Sequence, residues 1–269
     1  MNSKASASPY LIWMVIFIVC PLAMVVYFAF TDKTGAFTMQ NIAGLGEYST
    51  VFVRSILLAA VATIICLIIA YPISFMLSRM KASRQRMMMM LVMLPMWMNF
   101  LLRTYAWMTL LEHNGLINKF FGIFGIGPFN MINTQGAVVL GMVYNYLPYM
   151  ILPLYTAMVK IDDSLIEAAQ DLGGSMVNVV AKVLIPLSVP GISTGITMVF
   201  VPSISTFIIS RMLGGGSNLL IGDLIELQFL GNSYNYNLGS AMSLVLMVIV
   251  LLCMSVTNTL GNEDMEGVL

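Results

Sequence analysis

Glu167-Ala168-Ala169-Gln170-Asp171-Leu172-Gly173, running on through Ser175 to Ile185-Pro186, is a polar, helix-forming segment set between two long apolar runs. Ser164 and Glu167 stand at capping-box spacing, which predicts that a helix starts here. The Ser164 hydroxyl would bond the Glu167 N–H while the Glu167 carboxylate reaches back. Leu165, Ala168, Ala169 and Leu172 fall at i, i+3, i+4 and i+7. They form a narrow apolar stripe whose middle is small enough for close contact with another surface. Gly173 supplies the left-handed residue that ends the helix, and Ser175 can cap a second, Met176 to Leu184, that Pro186 stops.

The flanking sequence sets the solvent. Of the 269 residues, 59% are hydrophobic and 9% charged, far below the roughly 25% charged of a soluble domain. The chain reads as an all-α integral membrane protein. Its net charge of +0 suggests no nucleic-acid or bulk electrostatic role, so charges must be read by position. Cys20, Cys66 and Cys253 all lie inside apolar runs and form neither a disulfide nor a metal-ligand pattern.

Six runs, at 10–30, 55–77, 87–111, 136–158, 188–210 and 238–260, approach the roughly 20 residues a transmembrane helix needs. The first lacks the short apolar core and small-residue cleavage site of a signal peptide and reads as an uncleaved span, kinked at Pro21. The connection Ser78–Arg86 carries Arg79, Lys81, Arg84 and Arg86 with no acid. Short basic loops stay in the cytoplasm. Both termini and the Glu167 loop, about 160–186 between spans four and five, are therefore expected inside. Residues 1–269 read as one transmembrane domain with no internal repeat, and Glu263, Asp264 and Glu266 as a solvated tail.

Three stretches could line a pathway. Asn99, Arg103 and Trp107 in span three are spaced i, i+4 and i+8 and share one face. Arg103 is costly in lipid, by about 2.5–3.5 kcal/mol at the centre, so it either snorkels outward or faces the bundle. Span five carries Pro190, Gly191, Gly195 and Pro202 among Ser193, Thr194, Thr197, Ser203, Ser205 and Thr206. Close packing accounts for part of this, and the many hydroxyls point further to a broken, pathway-lining helix. The loop 211–237 includes Asn218 to Leu230, too short and charged to span, which suits a short helix at the surface or dipping into the bundle. Gly214-Gly215-Gly216 lacks the Lys-Ser/Thr ending of a phosphate-binding loop. Tyr234 and Tyr236 suit interfacial anchors.

Glu167, Ala168, Ala169, Gly173, Val183, Ile185 and Pro186 together match the EAA loop of ABC importer membrane subunits, with Val183 and Ile185 in place of the usual Ile and Leu. Capping alone explains each residue separately but not this full spacing. The chain resembles that family, and three further stretches are similar to its spermidine/putrescine branch, the PotB type: Pro95–Asn118, Leu147–Tyr155 and Gly214–Leu230. The resemblance implies the type I ABC importer permease fold, six spans with a cytoplasmic coupling helix that sits in a groove of an ATPase. It further implies two ATPase subunits, a second related permease and an extracytoplasmic substrate-binding protein in a bacterial plasma membrane. This chain has no P-loop, so ATP and Mg would belong to the partner ATPase and the chain itself would hold no cofactor and catalyse nothing.

Charge supports a cationic substrate only weakly. Outside, Asp32, Glu47, Glu112, Asp223 and Glu226 face Lys33, Arg54, Lys119 and Arg211, five acids against four bases. Asp223 and Glu226, with the Trp107 ring, could meet an amine by ion pairing and cation–π contact. A permease for an anion, a metal complex or another organic cation is the alternative. An ion-driven secondary transporter would need intramembrane carboxylates, and no acid lies well inside a span. A membrane enzyme would need a catalytic cluster, and the single His113 has no nucleophile or metal partner in view.

Overall fold

A computed structural model describes residues 8–266 apart from 217, 232 and 233. Lys4 and the side chains of Glu263, Asp264 and Glu266 lie outside the described residues. The chain folds into helices joined by turns and by two longer connections, 30–48 and 124–134: α1 (Pro9–Ala29), α2 (Ser49–Ser78), α3 (Ala82–Met93), α4 (Phe100–Leu111), α5 (Leu116–Ile123), α6 (Gln135–Met158), α7 (Asp163–Asp171), α8 (Met176–Ser205), α9 (Ile208–Gly214), α10 (Ile221–Leu230) and α11 (Tyr236–Glu266). Among the described residues, α1, α2, α6, α8 and α11 are each long and apolar enough to cross a membrane, and a sixth crossing is made if one bent helix pair is a single span.

Burial runs opposite to that of a soluble domain. On α2, Leu57, Val61, Ile64 and Ile68 recur at helical spacing on the outer face and are exposed, whereas Ser55, Ala59, Ala62, Thr63, Ala70 and Ser74 face inward. Lipid is as apolar as leucine, so association relies on close contact between small residues and on hydrogen bonds. α6 is the centre of the bundle, with α2 and α8 packed along it. Gly191 and Gly195 of α8 form a tight seam with α6: a Cβ on Gly191 would lie 2.6 Å from Ala157 Cβ and 2.9 Å from the Pro153 carbonyl, and one on Gly195 2.5 Å from Met150 Sδ. The neighbouring hydroxyls look after their own helix. Thr194, Thr197 and Ser205 donate to the carbonyls of Pro190, Ser193 and Val201, so packing and self-satisfaction account for much of the polarity that suggested a pathway.

The third apolar run, 87–111, is not one helix. The helical stretches Ala82–Trp97 and Phe100–Ile123 meet at 86°. Pro95 lacks an N–H, and the extended Asn99 starts a new helix by accepting from the N–H groups of Leu101 and Leu102. Asn99 is thus a cap, and Arg103 and Trp107 alone keep the predicted shared face. The basic connection also shortens. Arg79 caps α2, and Arg84 and Arg86 lie on α3.

Two prolines behave alike. A π-helical turn, Val15–Val19 or Val180–Leu184, precedes Cys20-Pro21 and Ile185-Pro186, and the helix then continues. The wider turn shifts the carbonyl register ahead of a residue that cannot donate. Pro186 therefore does not stop the second loop helix, which is the first part of α8 and runs unbroken from Met176 to Ser205. The fifth run ends at Ser205, and α9 starts separately at Ile208.

Gly191→Ala is expected to force α6 and α8 apart at a cost of about 1–3 kcal/mol. Thermal unfolding of the detergent-solubilised chain should show a clearly lowered midpoint. Thr194→Ala, on the exposed side of the same helix, should stay within about 0.5 kcal/mol of the parent. Equal midpoints for the two would remove the seam.

Candidate functional site

The loop helix α7 starts two residues earlier than the capping-box spacing predicts, with its cap at Asp162 in place of Ser164. Asp162, extended at φ −67° and ψ 138°, accepts the Ser164 N–H at 2.9 Å. This replaces the expected Ser164–Glu167 box, because a carboxylate oxygen one residue outside the helix reaches the free N–H first. The backbone bond from Ser164, a bond from its hydroxyl and the nearby Arg79 charge hold the Asp162 carboxyl below the ordinary carboxylate range. A depressed acid stabilises the folded state above its unfolded pKa, and the effect fades only as pH falls through the lower folded value. The cap is therefore in force at neutral pH.

The helix ends in a Schellman arrangement. Gly173 adopts φ +80°, its N–H bonds the Gln170 carbonyl at 2.8 Å, and the Gly174 N–H bonds the Ala169 carbonyl at 3.1 Å. Gly173 meets the expectation of a left-handed stop. Gly174 was missed: a Cβ there would lie 2.5 Å from the Ala169 carbonyl oxygen. The Gly-Gly pair is the signal that could have found it. Ser175 begins the next helix by accepting the Asn178 N–H.

Burial gives the loop two faces. Ile161, Ile166, Val179 and Leu184 are buried together, with Phe75 of α2, Ala169, Val183 and Leu187 packed against them. Away from this anchor lie Leu165, Ala168, Leu172, Met176 and Val177, all exposed. Leu172 is 90% exposed. The predicted stripe is thus divided, with Leu165, Ala168 and Leu172 turned outward and Ala169 partly packed inward. Glu167 is exposed and makes no side-chain hydrogen bond or ion pair among the described residues. Ile185 and Pro186 are exposed on α8.

Arg79 joins α2 to this loop. Its Nη1 donates to the Ile161 carbonyl at 3.0 Å and pairs with Asp163, while its Nη2 reaches the Met158 carbonyl at 3.4 Å. Its guanidinium also lies over the Phe75 ring. The sequence showed Arg79 only as one of four basic residues that set orientation.

The other candidates divide into two groups. On α4, Arg103 is only 7% exposed and sits 5.8 Å from the Phe100 ring centroid, so it faces the bundle and does not snorkel. Among the described residues its Nε and Nη1 have no partner. Trp107 is half-buried, edge-on to Tyr144. On α10, Asp223 is fully buried, accepts the Leu220 N–H at 2.8 Å and lies 3.9 Å from Arg211 Nε. Glu226 pairs with the same guanidinium through both oxygens. Arg211 brings the two acids together, and Asp223 is already committed to the start of α10. Glu226 is the one with an open side, on a cavity of about 420 Å³.

A family model described as "Binding-protein-dependent transport system inner membrane component" matches residues 70–262. The chain is 36% identical over 267 residues to the spermidine/putrescine transport system permease protein PotB of Haemophilus influenzae, covering 94% of this chain and 93% of that one. It is 34% identical over 248 residues to PotB of Escherichia coli K12, covering 88% and 90%. In structure it is similar to a chain of a bacterial ABC transporter that imports alginate, with TM-score 0.81 at 15% identity over 97% of this chain and 94% of that one. A chain of the MetNI methionine ABC transporter gives TM-score 0.59 at 17% identity, over 80% and 95%. The fold is therefore that of ABC importer permeases.

Loss of the Asp162 cap should fray α7 by about 1 kcal/mol. Asp162→Ala and Gly174→Ala are each expected to speed amide hydrogen exchange across Leu165–Leu172, with exchange in α6 unchanged. Unaltered protection in both variants would contradict the capping geometry.

Proposed function

The chain belongs to the binding-protein-dependent transport system inner membrane component family, and from that premise we propose that it is the permease subunit of an ATP-driven polyamine importer. The observation that carries the reading is the outward apolar face of α7, where Leu172 stands 90% exposed between two membrane-length helices. An uncovered leucine on a polar loop suits an interface with another protein. Coupling to an ATPase groove gives it an occupant. Spermidine and putrescine enter as the substrate class through the likeness to PotB.

In this reading residues 1–269 form one membrane domain with both termini in the cytoplasm, working beside a second related permease, two ATPase subunits that hold ATP and Mg, and an external binding protein. The four components divide the work. ATP-driven closure of the ATPases displaces α7, the bundle changes between inward- and outward-facing states, and substrate follows because it binds the two states unequally. The seven loop residues serve differently: Ala168 meets the groove, Gly173 ends the helix, Ala169 and Val183 anchor it to α2, and Ile185-Pro186 carries the motion along α8. Glu167 stands exposed beside the contact.

Glu226 is the pathway residue best placed to meet an ammonium group, and the Trp107 ring, which does not line the cavity beside Glu226, would act at a separate point. Asp223 shapes the field from its buried position, and Asn99 sets the bend that presents Arg103 and Trp107. The buried Arg103 disfavours a tight amine site beside it.

Vesicles carrying the whole complex, loaded with ATP and supplied with the binding protein, should take up labelled spermidine or putrescine. Vesicles with this chain alone should neither take it up nor hydrolyse ATP. Glu226→Gln is expected to raise the polyamine concentration for half-maximal uptake several-fold without loss of assembly. Uptake of some other solute, with no competition from excess spermidine, would overturn the substrate assignment.

A further inference from the structure

The α6–α7 connection spans only four residues, 159–162, yet in the proposed cycle it must pass displacement of α7 into the bundle. Its own hydrogen bonding is thin. The Val159, Lys160 and Ile161 N–H groups bond back to Tyr155, Ala157 and Met158, which leaves the Ile161 carbonyl and a second lone pair on the Met158 carbonyl to take donors from another element. Arg79 supplies them. From the cap of α2 its guanidinium reaches Met158 at the end of α6, Ile161 within the connection and Asp163 in the first turn of α7. The Asp163 carboxylate also lies where a helix N-terminus favours negative charge. The guanidinium also lies over the ring of Phe75, which belongs to the cluster that anchors α7. Only 21% of the Arg79 side chain is exposed, so water competes little for these bonds, whereas Asp163 is 69% exposed.

We infer that Arg79 is a positioning residue for transport, a planar fork that makes α2, the end of α6 and the start of α7 move as one body. The inference rests on α7 being the coupling helix. Arg79 touches neither substrate nor the exposed Leu172 face, and acts through the backbone it holds. Without the fork, α7 keeps its apolar anchor and its docking face, but the connection becomes compliant. Movement of the ATPase is then absorbed in residues 159–162 before it reaches the bundle. A lysine supplies the same charge from a single point and cannot span the three acceptors in one plane.

The test compares Arg79→Lys, Arg79→Met, Asp163→Asn and Leu172→Asp in the complete complex reconstituted in vesicles, measuring ATPase co-purification, ATP hydrolysis and polyamine uptake. Both Arg79 variants should retain ATPase binding and hydrolysis while uptake per ATP falls at least three-fold. Asp163→Asn keeps both carbonyl bonds and should give a smaller loss, and adding it to Arg79→Met should change nothing further. Leu172→Asp tests the coupling reading separately, since it should release the ATPase whatever Arg79 does. A wild-type uptake-to-hydrolysis ratio in Arg79→Lys would overturn the inference by reducing Arg79 to a charge. A fall in uptake that only tracks lost protein or lost ATPase binding, with the ratio intact in the exposed Asp163→Asn, would overturn it too, leaving a purely structural arginine. If Leu172→Asp binds the ATPase normally, the coupling reading fails first and is recognised by that arm alone.

Discussion

A backbone N–H or C=O in hydrocarbon has no water to turn to, and the architecture follows from how each helix end and each break meets that constraint. Where proline removes a donor, a π turn shifts the ladder at Pro21 and Pro186, or the Asn99 side chain opens a new helix after Pro95. At the end of α1, Asn41 and Asn237 donate to the carbonyls of Ala29, Phe28 and Thr31. Ser55 and Asp223 accept the first N–H groups of α10. Arg79 serves the end of α6 in the same way. Asn41, Asn237, Ser55 and Arg79 each meet a helix end in this way and carry a contact between separate elements as well.

This divides the polar residues by use. Those inside the bundle, from Ser55 to Asp223, are largely occupied by backbone. The α7 face differs, because Leu165, Ala168 and Leu172 are left exposed by the described residues while Ile166 on the same helix is buried. A helix held on one side by an apolar cluster and open on the other is suited to receive displacement and hand it on. Arg211 neutralises much of the Glu226 and Asp223 charge, which agrees with the near balance of acids and bases read from the sequence.

Local chemistry was the legible part. Gly173 as a left-handed stop, Ser175 as a cap and the six apolar runs follow from short-range rules, and the loop spacing pointed to the family. Readings that depended on choosing among nearby alternatives went astray. Ser164 and Asp162 could both cap, and the one with the better reach won. Pro186 could end a helix or be carried through it, and the π turn that decides this has no residue signature. The 86° bend at Pro95 and Asn99 was hidden inside one unbroken apolar run. Arg79 was read for its charge alone, since a bridge to Met158, Ile161 and Asp163, about eighty positions away, becomes visible only when α2 and α6 are packed together.

The claim on which the rest turns is that the open face of α7 lies against an ATPase in the cytoplasm. A photo-reactive phenylalanine analogue placed at Leu172, activated in the assembled complex within native membranes, tests it directly through the identity of the cross-linked product. The expected result is an adduct with the ATPase subunit. Adducts confined to lipid or to the external binding protein would contradict both the orientation and the coupling role of this loop.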